Sequence, residues 1–200
     1  MIAIVDYGAG NLFSVKNALD YLNIKNCFTS KKEDLINADA IILPGVGAFP
    51  SAMKMLNDTG LVQTIKEQSH IKPLLGICLG MQMLFEKGYE FEETDGLGLI
   101  KGNIDNIKVS NLNIPHMGWN KLEVLNDCPL MNGLNADTYV YFVHSYQAYC
   151  NDENISAYCD YEVRIPALVF NKNIYGAQFH PEKSGDAGLK MLKNFTQLIK

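Results

Sequence analysis

A chain of 200 residues with 48% hydrophobic, 20% charged and 10% aromatic side chains has the makeup of an ordinary globular protein, and at that length roughly 70% of the unfolded surface can be buried in one core. Seventeen basic residues against 22 acidic ones leave a net charge of −5, which argues against a nucleic-acid partner because such modules carry a basic excess or a dense basic face. No apolar run approaches the roughly 20 residues of a membrane-spanning helix, and residues 1–6 lack the basic start of a secretion signal, so a cytoplasmic protein folding as one domain over residues 1–200 is expected.

The first half alternates strand and helix patterns. Residues 2–5 form a short apolar run closed by the turn-rich Asp6-Tyr7-Gly8-Ala9-Gly10-Asn11. Leu12, Val15, Leu19 and Leu22 then recur at helical spacing. Residues 27–29, 40–43 and 74–77 read as further strands, the second ended by Pro44-Gly45-Val46-Gly47. Met53, Leu56 and residues 61–68 read as helical, as does Met81-Gln82-Met83-Leu84-Phe85. Such alternation with fully apolar strands predicts a parallel sheet covered on both faces. In the second half, residues 104–109, 138–144, 155–158, 167–170 and 174–179 are strand-like and separated by short Asn, Asp, Gly and Pro segments, which predicts antiparallel pairing. A last amphipathic helix begins near Gly188. The fold class is α/β, with a mostly parallel mixed sheet flanked by helices and antiparallel strands in the C-terminal half, similar to a flavodoxin-like arrangement.

Five cysteines, Cys27, Cys78, Cys128, Cys150 and Cys159, form neither a CxxC pair nor a Cys/His cluster at zinc spacing. No HExxH is present, and the lone close His/carboxylate pair, His180 and Glu182, lacks a third convergent ligand, so neither a metal nor another cofactor is expected. Gly8-Ala9-Gly10 begins like a dinucleotide fingerprint, but Phe13 stands where its last glycine is required, and there is no phosphate-binding GxxxxGK[ST].

In open α/β sheets, chemistry gathers beyond the carboxyl ends of the strands. Gly76-Ile77-Cys78-Leu79-Gly80 sits there, between an apolar strand and a helical run. It has the pattern of a nucleophile elbow with cysteine as nucleophile: a strained strand-to-helix turn, glycines where a Cβ would clash, and a helix N-terminus that favours thiolate. The N–H of Leu79, next after the nucleophile, is placed to meet a developing oxyanion. A nucleophilic cysteine needs a base and the base an orienting partner. His180 ends an apolar run and is followed by Pro181-Glu182, whose extended backbone sets the carboxylate beside the imidazole. Cys78, His180 and Glu182 thus form a candidate catalytic triad. His70 lies in a polar loop and reads as a solvated side chain. The glycines around Val46 permit a backbone whose N–H can face an anion.

GICLG at 76–80 with Met81-Gln82, and Gln178-Phe179-His180-Pro181-Glu182-Lys183-Ser184, resemble the triad-type (class I) glutamine amidotransferases. More narrowly, four segments resemble the glutaminase subunits of imidazole glycerol phosphate synthase: Asp6 to Leu12, Leu43 to Phe49, Pro115-His116-Met117-Gly118-Trp119-Asn120, and Tyr141-Phe142-Val143-His144-Ser145-Tyr146. The resemblance implies hydrolysis of L-glutamine to glutamate and ammonia through a thioester on Cys78, with His180 moving protons and Glu182 orienting it. It also implies an oxyanion hole from the N–H groups of Leu79 and Val46, and glutamine contacts at Gly47, Gln82, Glu90, Ser145 and Tyr146. Helical geometry independently places Gln82 one turn beyond Cys78. The implied partner is a (β/α)8-barrel cyclase that consumes the ammonia and releases imidazole glycerol phosphate and aminoimidazole carboxamide ribotide in histidine biosynthesis. Met117 and Trp119 suit either that interface or ordinary core packing. The same triad would serve a paralogue supplying a different barrel-type synthase, such as one for surface-sugar modification, and a non-catalytic regulatory subunit would need no triad at all.

Overall fold

The apolar runs of the first half are strands whose two faces feed two separate cores. The computed structural model describes residues 1–135 and 137–199, so residue 200, the end of the expected domain, lies outside it. In chain order the elements are β1 (Ile2–Val5), α1 (Leu12–Tyr21), β2 (Asn26–Thr29), α2 (Lys32–Asn37), β3 (Ala40–Gly45), α3 (Phe49–Asp58), α4 (Val62–Ser69), β4 (Leu74–Cys78) and α5 (Leu79–Gln82). There follow β5 (Lys87–Gly88), β6 (Thr94–Asp95), β7 (Asn103–Asn106), β8 (His116–Lys121), β9 (Glu123–Val124), β10 (Tyr139–His144), β11 (Tyr146–Tyr149), β12 (Ile155–Tyr161), β13 (Val163–Asn171), β14 (Ile174–Ala177) and α6 (Gly185–Thr196).

The central sheet has eight strands in the order β2-β1-β3-β4-β14-β13-β12-β9. β2, β1, β3, β4 and β14 are mutually parallel, and β13, β12 and β9 extend the sheet antiparallel. Strand order reverses after β2, which makes the carboxyl ends beside β1 and β3 a topological switch point. A ribbon of β8 and β10 and a small sheet of order β11-β7-β5-β6 lie beside the main sheet.

Period-two alternation sorts the buried side chains. Ile2, Ile4, Ala40, Ile42, Leu75 and Ile77 enter one core, against Val15 and Leu19 of α1 and Met191, Leu192 and Phe195 of α6. Ala3, Val5, Ile41, Leu43 and Leu74 enter the other, against Leu35 of α2, Phe49, Met53 and Leu56 of α3, and Ile65 of α4. Helices on both faces explain why β1, β3 and β4 are apolar at nearly every position rather than alternating with polar residues.

The structure departs from the sequence-based expectations in places with local causes. The helical run after the elbow is a single turn, because the carbonyls that would carry it onward have other partners. Leu97 N–H donates to Met83 O at 2.8 Å, Gly98 N–H to Phe85 O at 3.0 Å, and Leu99 and Ile100 N–H both to Leu84 O. β13 starts before the strand expected over 167–170 and runs through Pro166; the ladder to β12 shifts register between Ala157 and Tyr158, next to that proline's pairing position, and this irregularity absorbs the missing donor. The segment expected as strand over 104–109 pairs only as far as Asn106, and 174–179 only as far as Ala177. α2, β8 and β11 lack the apolar density that would mark them in sequence. α6 begins at Gly185, and His70 is exposed at the end of α4, as expected of a solvated loop residue.

α6 also anchors a turn that matters for the site. A Cβ on Gly188 would stand 1.9 Å from the Pro181 carbonyl oxygen, so only glycine lets the helix lie this close to the 3-10 turn Pro181–Lys183. Gly188→Ala is therefore expected to destabilise the fold by about 1–3 kcal/mol through overpacking. A lower urea midpoint with an unchanged m-value would show it, and an unshifted midpoint would contradict this packing.

Candidate active site

Cys78 ends β4 with φ 54° and ψ −114°. A β-carbon residue in that region costs about 1–3 kcal/mol, strain typical of functional positions held by their surroundings. The flanking glycines are required by space. A Cβ on Gly76 would lie 2.6 Å from the Gly80 carbonyl oxygen, and one on Gly80 would lie 1.9 Å from the Leu43 carbonyl oxygen. Gly45, at the end of β3, would place its Cβ 2.6 Å from the Gly80 N. The ends of β3 and β4 and the start of α5 thus meet backbone to backbone, and the sharp turn presents the thiol at the sheet's carboxyl edge. The Leu79 N–H opens α5 beside it. Cys78 is largely buried, with Sγ 3.9 Å from the Val143 carbonyl oxygen.

His180 comes from the segment after β14. Its backbone N–H donates to Tyr141 O at 3.0 Å, which fixes it to β10. Its Nδ1 stands 2.8 Å from Glu182 Oε1, and the Glu182 side chain is wholly buried. Burial on its own lowers the imidazole's proton affinity, but hydrogen bonds to Cys78 and Glu182, together with their charges, outweigh it and push the pKa up to about 10. Ser184, quoted in the sequence motif without a role, closes this turn: its Oγ donates to His180 O at 2.7 Å and accepts the Tyr141 N–H at 3.0 Å.

A pocket of about 330 Å³ opens over Cys78, and every candidate residue lines it except Glu182, which lies behind His180. The candidates do not all use their polar atoms as a free binding site would. Gln82 Nε2 donates to Tyr146 O at 3.2 Å and to Gln178 Oε1 at 3.0 Å, so its amide nitrogen is spent on the scaffold. Glu90 Oε2 accepts the Phe49 N–H at 2.7 Å, a carboxylate on the first turn of α3 where the helix dipole favours it. Tyr7, quoted in a sequence motif without a role of its own, donates its OH to Pro44 O at 3.0 Å; burial first, and the neighbouring Cys78 charge second, raise its pKa. The segment carrying Val46 and Gly47 is therefore tied at both ends. Gly47 has φ +95° with open space around its missing Cβ, so here backbone conformation rather than room calls for glycine.

Pro115, Val143 and His144, quoted in the sequence motifs without a site role, also line the pocket. Burial pushes His144 down to about 3, so it stands neutral beside the triad candidates. Among the described residues no group of three or more His, Cys, Asp or Glu side chains could hold a metal. No helix of the described residues is long and apolar enough to cross a membrane. On the ribbon, Met117 and Trp119 are 64% and 54% exposed, which removes core packing as their role.

A cysteine elbow and a His-Pro-Glu turn, converging at the carboxyl ends of parallel strands in a three-layer α/β fold, define the class I glutamine amidotransferases. The chain belongs to that family, glutamine amidotransferase class-I, which matches residues 3–198. Within it, the chain is similar over its full length to imidazole glycerol phosphate synthase subunit HisH of Bacillus cereus (strain G9842), with 52% identity over 200 residues, all of this chain and 95% of the relative. The HisH protein of Bacillus anthracis (strain A0248) is 51% identical with the same coverage. Solved structures share the fold at lower identity. PurLQS from Thermotoga maritima superposes with a TM-score of 0.77 at 21% identity, over 100% of this chain and 98% of that one. A glutamine amidotransferase from the same organism gives 0.64 at 15%, over 98% and 82%.

The raised pKa of His180 ties stability to pH. The folded state holds a proton that an unfolded histidine releases near 6.5, so this contribution is complete below 6.5 and fades as pH rises through about 10. Unfolding free energy should decline over that interval, and decline less in Glu182→Gln, where one of the groups holding the proton is neutral. Equal slopes in the two proteins would contradict the arrangement.

Proposed function

We propose that this chain hydrolyses L-glutamine to glutamate and ammonia as the glutaminase subunit of an imidazole glycerol phosphate synthase. The observation that carries the reading is the convergence of Cys78, His180 and Glu182 on one pocket, in a chain about half identical along its length to HisH subunits. Cys78 is the proposed nucleophile. Its thiolate attacks the side-chain amide carbon of glutamine, and the negative charge that develops on the amide oxygen is met by the Leu79 N–H and by that of Val46. His180, carrying a proton held there by Cys78 and Glu182, gives it to the departing nitrogen, and ammonia leaves a γ-glutamyl thioester. His180 then takes a proton from water as the water attacks the thioester, and glutamate and the thiolate are released. Glu182 keeps Nδ1 engaged so that the other ring nitrogen faces the reaction.

Gly47, Glu90, Ser145 and Tyr146 are the proposed glutamine contacts. Because the amide nitrogen of Gln82 is already donated to Tyr146 O and Gln178, its proposed part is to hold the pocket wall and offer its oxygen. The proposed recipient of ammonia is a (β/α)8-barrel cyclase in the cytoplasm, which would form imidazole glycerol phosphate and aminoimidazole carboxamide ribotide. The ribbon carrying exposed Met117, Trp119 and Tyr139 has the aromatic and sulfur-rich character of an interface core.

Reconstitution with the histidine-pathway cyclase and its ligand is the decisive experiment. Glutamine should then drive formation of imidazole glycerol phosphate, and Cys78→Ala should reduce that glutamine-dependent rate by about 10⁴-fold or more while ammonia-dependent synthesis continues. Undiminished turnover in Cys78→Ala would remove the nucleophile assignment. A wild-type chain that hydrolyses glutamine but fails to couple to this cyclase would point to a paralogue serving another synthase.

A further inference from the structure

Two buried histidines lie outside the triad, one of them on the pocket wall. His116 and His144 face each other directly across the β8–β10 ribbon. His116 Nδ1 is 2.9 Å from His144 Nε2, and His144 Nδ1 is 2.8 Å from the Tyr146 carbonyl oxygen. On the far side, His116 Nε2 is 2.8 Å from the side-chain amide of Asn120, at its Oδ1 position. His116 has no exposed surface, and His144 is buried as well.

Counting protons along this chain leaves two arrangements. A carbonyl can only accept, so His144 Nδ1 must carry a hydrogen. If an oxygen also faces His116 Nε2, both ends of the pair demand an N–H and the middle contact demands one more. Two imidazoles would then share three protons and one positive charge. If Asn120 instead presents its amide nitrogen, reached by turning the amide about its last torsion, two protons suffice and both rings are neutral. Aromatic rings of Phe142 and Tyr161 lie 4.7 and 4.2 Å from the His116 ring and would attract a cation. Against that, His116 has no exposed surface and His144 reaches solvent only at the pocket wall, and burial lowers both histidines. The other charged group facing His144 is His180, itself cationic at neutral pH, and like charges repel. The neutral arrangement prevails.

We infer that Asn120, His116 and His144 form a one-way chain of hydrogen-bond donors, with both imidazoles neutral, that positions the carbonyl of Tyr146, a residue of the pocket wall. Asn120 Nδ2–H donates to His116 Nε2, His116 Nδ1–H to His144 Nε2, and His144 Nδ1–H to Tyr146 O. The same carbonyl receives Gln82 Nε2–H, so both of its lone pairs are filled. Asn120 sits on β8 next to exposed Trp119, and Gln82 sits one turn beyond Cys78. The chain therefore links the exposed ribbon to the pocket wall. Asn120 and His116 are positioning residues that act through His144, and neither touches the reacting atoms. Their effect on turnover rests on the glutaminase function proposed above; the proton arrangement does not.

The experiment combines two readouts on the full chain. With ¹⁵N-labelled histidine, nuclear magnetic resonance should show both rings protonated at Nδ1 alone and untitrated across neutral pH. In Asn120→Asp, where only an acceptor faces His116, that ring should become an imidazolium. Rings protonated at Nε2, or a cationic pair in the unaltered chain, would overturn the arrangement, and this readout needs no variant to fold. In the reconstituted complex, Asn120→Leu should raise KM for glutamine by about five- to tenfold, the loss of roughly one buried hydrogen bond, with a smaller change in kcat. A KM unchanged in both variants, while the His116 signals move, would overturn the positioning role. An unaltered chain with no glutaminase activity would instead count against the proposed function and leave the spectroscopic result intact.

Discussion

The rest of the molecule depends on a backbone contact too close for any side chain. Gly80 lies where a Cβ would fall 1.9 Å from the Leu43 carbonyl oxygen, and Gly45 and Gly76 press on the same turn. This approach brings the ends of β3 and β4 together, bends the chain at Cys78 into a positive φ, and leaves Val46 and Gly47 beside the thiol. Strain at Cys78 is maintained because two strands buried on both faces hold the turn from below. The same sheet places β14 next to β4, and the chain leaving β14 delivers His180 from the other side.

Charge is handled by enclosure and pairing. Glu182 is removed from water and has one oxygen on His180; its other oxygen, Oε2, is buried without a hydrogen-bond partner among the described residues. Breaking such a pair by removing one member leaves an uncompensated buried charge, which generally costs more than the pair contributes. The turn that holds it is consequently tied in several ways: by Ser184 to β10, by the His180 N–H to Tyr141, and by the tight seat of α6 at Gly188. Burial keeps His144 neutral beside them, so it adds no further positive charge next to His180.

Much of this was readable from the chain itself, for reasons that can be stated. Strands buried on both faces must be apolar throughout, so β1, β3 and β4 announce themselves. The elbow and the His-Pro-Glu turn each have short internal spacings, so each motif is legible locally, although only the pairing of β14 with β4 brings the two together. What local patterns do not carry is long-range. The bonds of Tyr7 to Pro44 and of Glu90 to Phe49 span dozens of residues and leave no periodic trace. The brevity of α5 is set by a loop reaching back to Met83, Leu84 and Phe85, against the local helical pattern. The His116–His144 contact needs the β8–β10 pairing, and β8, with Gly118 and Asn120, carries too little apolar character to be recognised as a strand.

The two ties around Val46 have a consequence for how this segment can change shape. With Pro44 held by Tyr7 and Phe49 held by Glu90, a swinging lid is not available between them. What remains is rotation of one or two peptide planes about nearly stationary ends, with Gly47 supplying the torsional latitude. Such a rotation disorders no helix and exposes no core, so it forfeits little chain entropy; ordering a free loop would cost about 1–2 kcal/mol for every residue fixed. A small bias would therefore suffice to turn this segment, because both of its ends are already fixed by the fold.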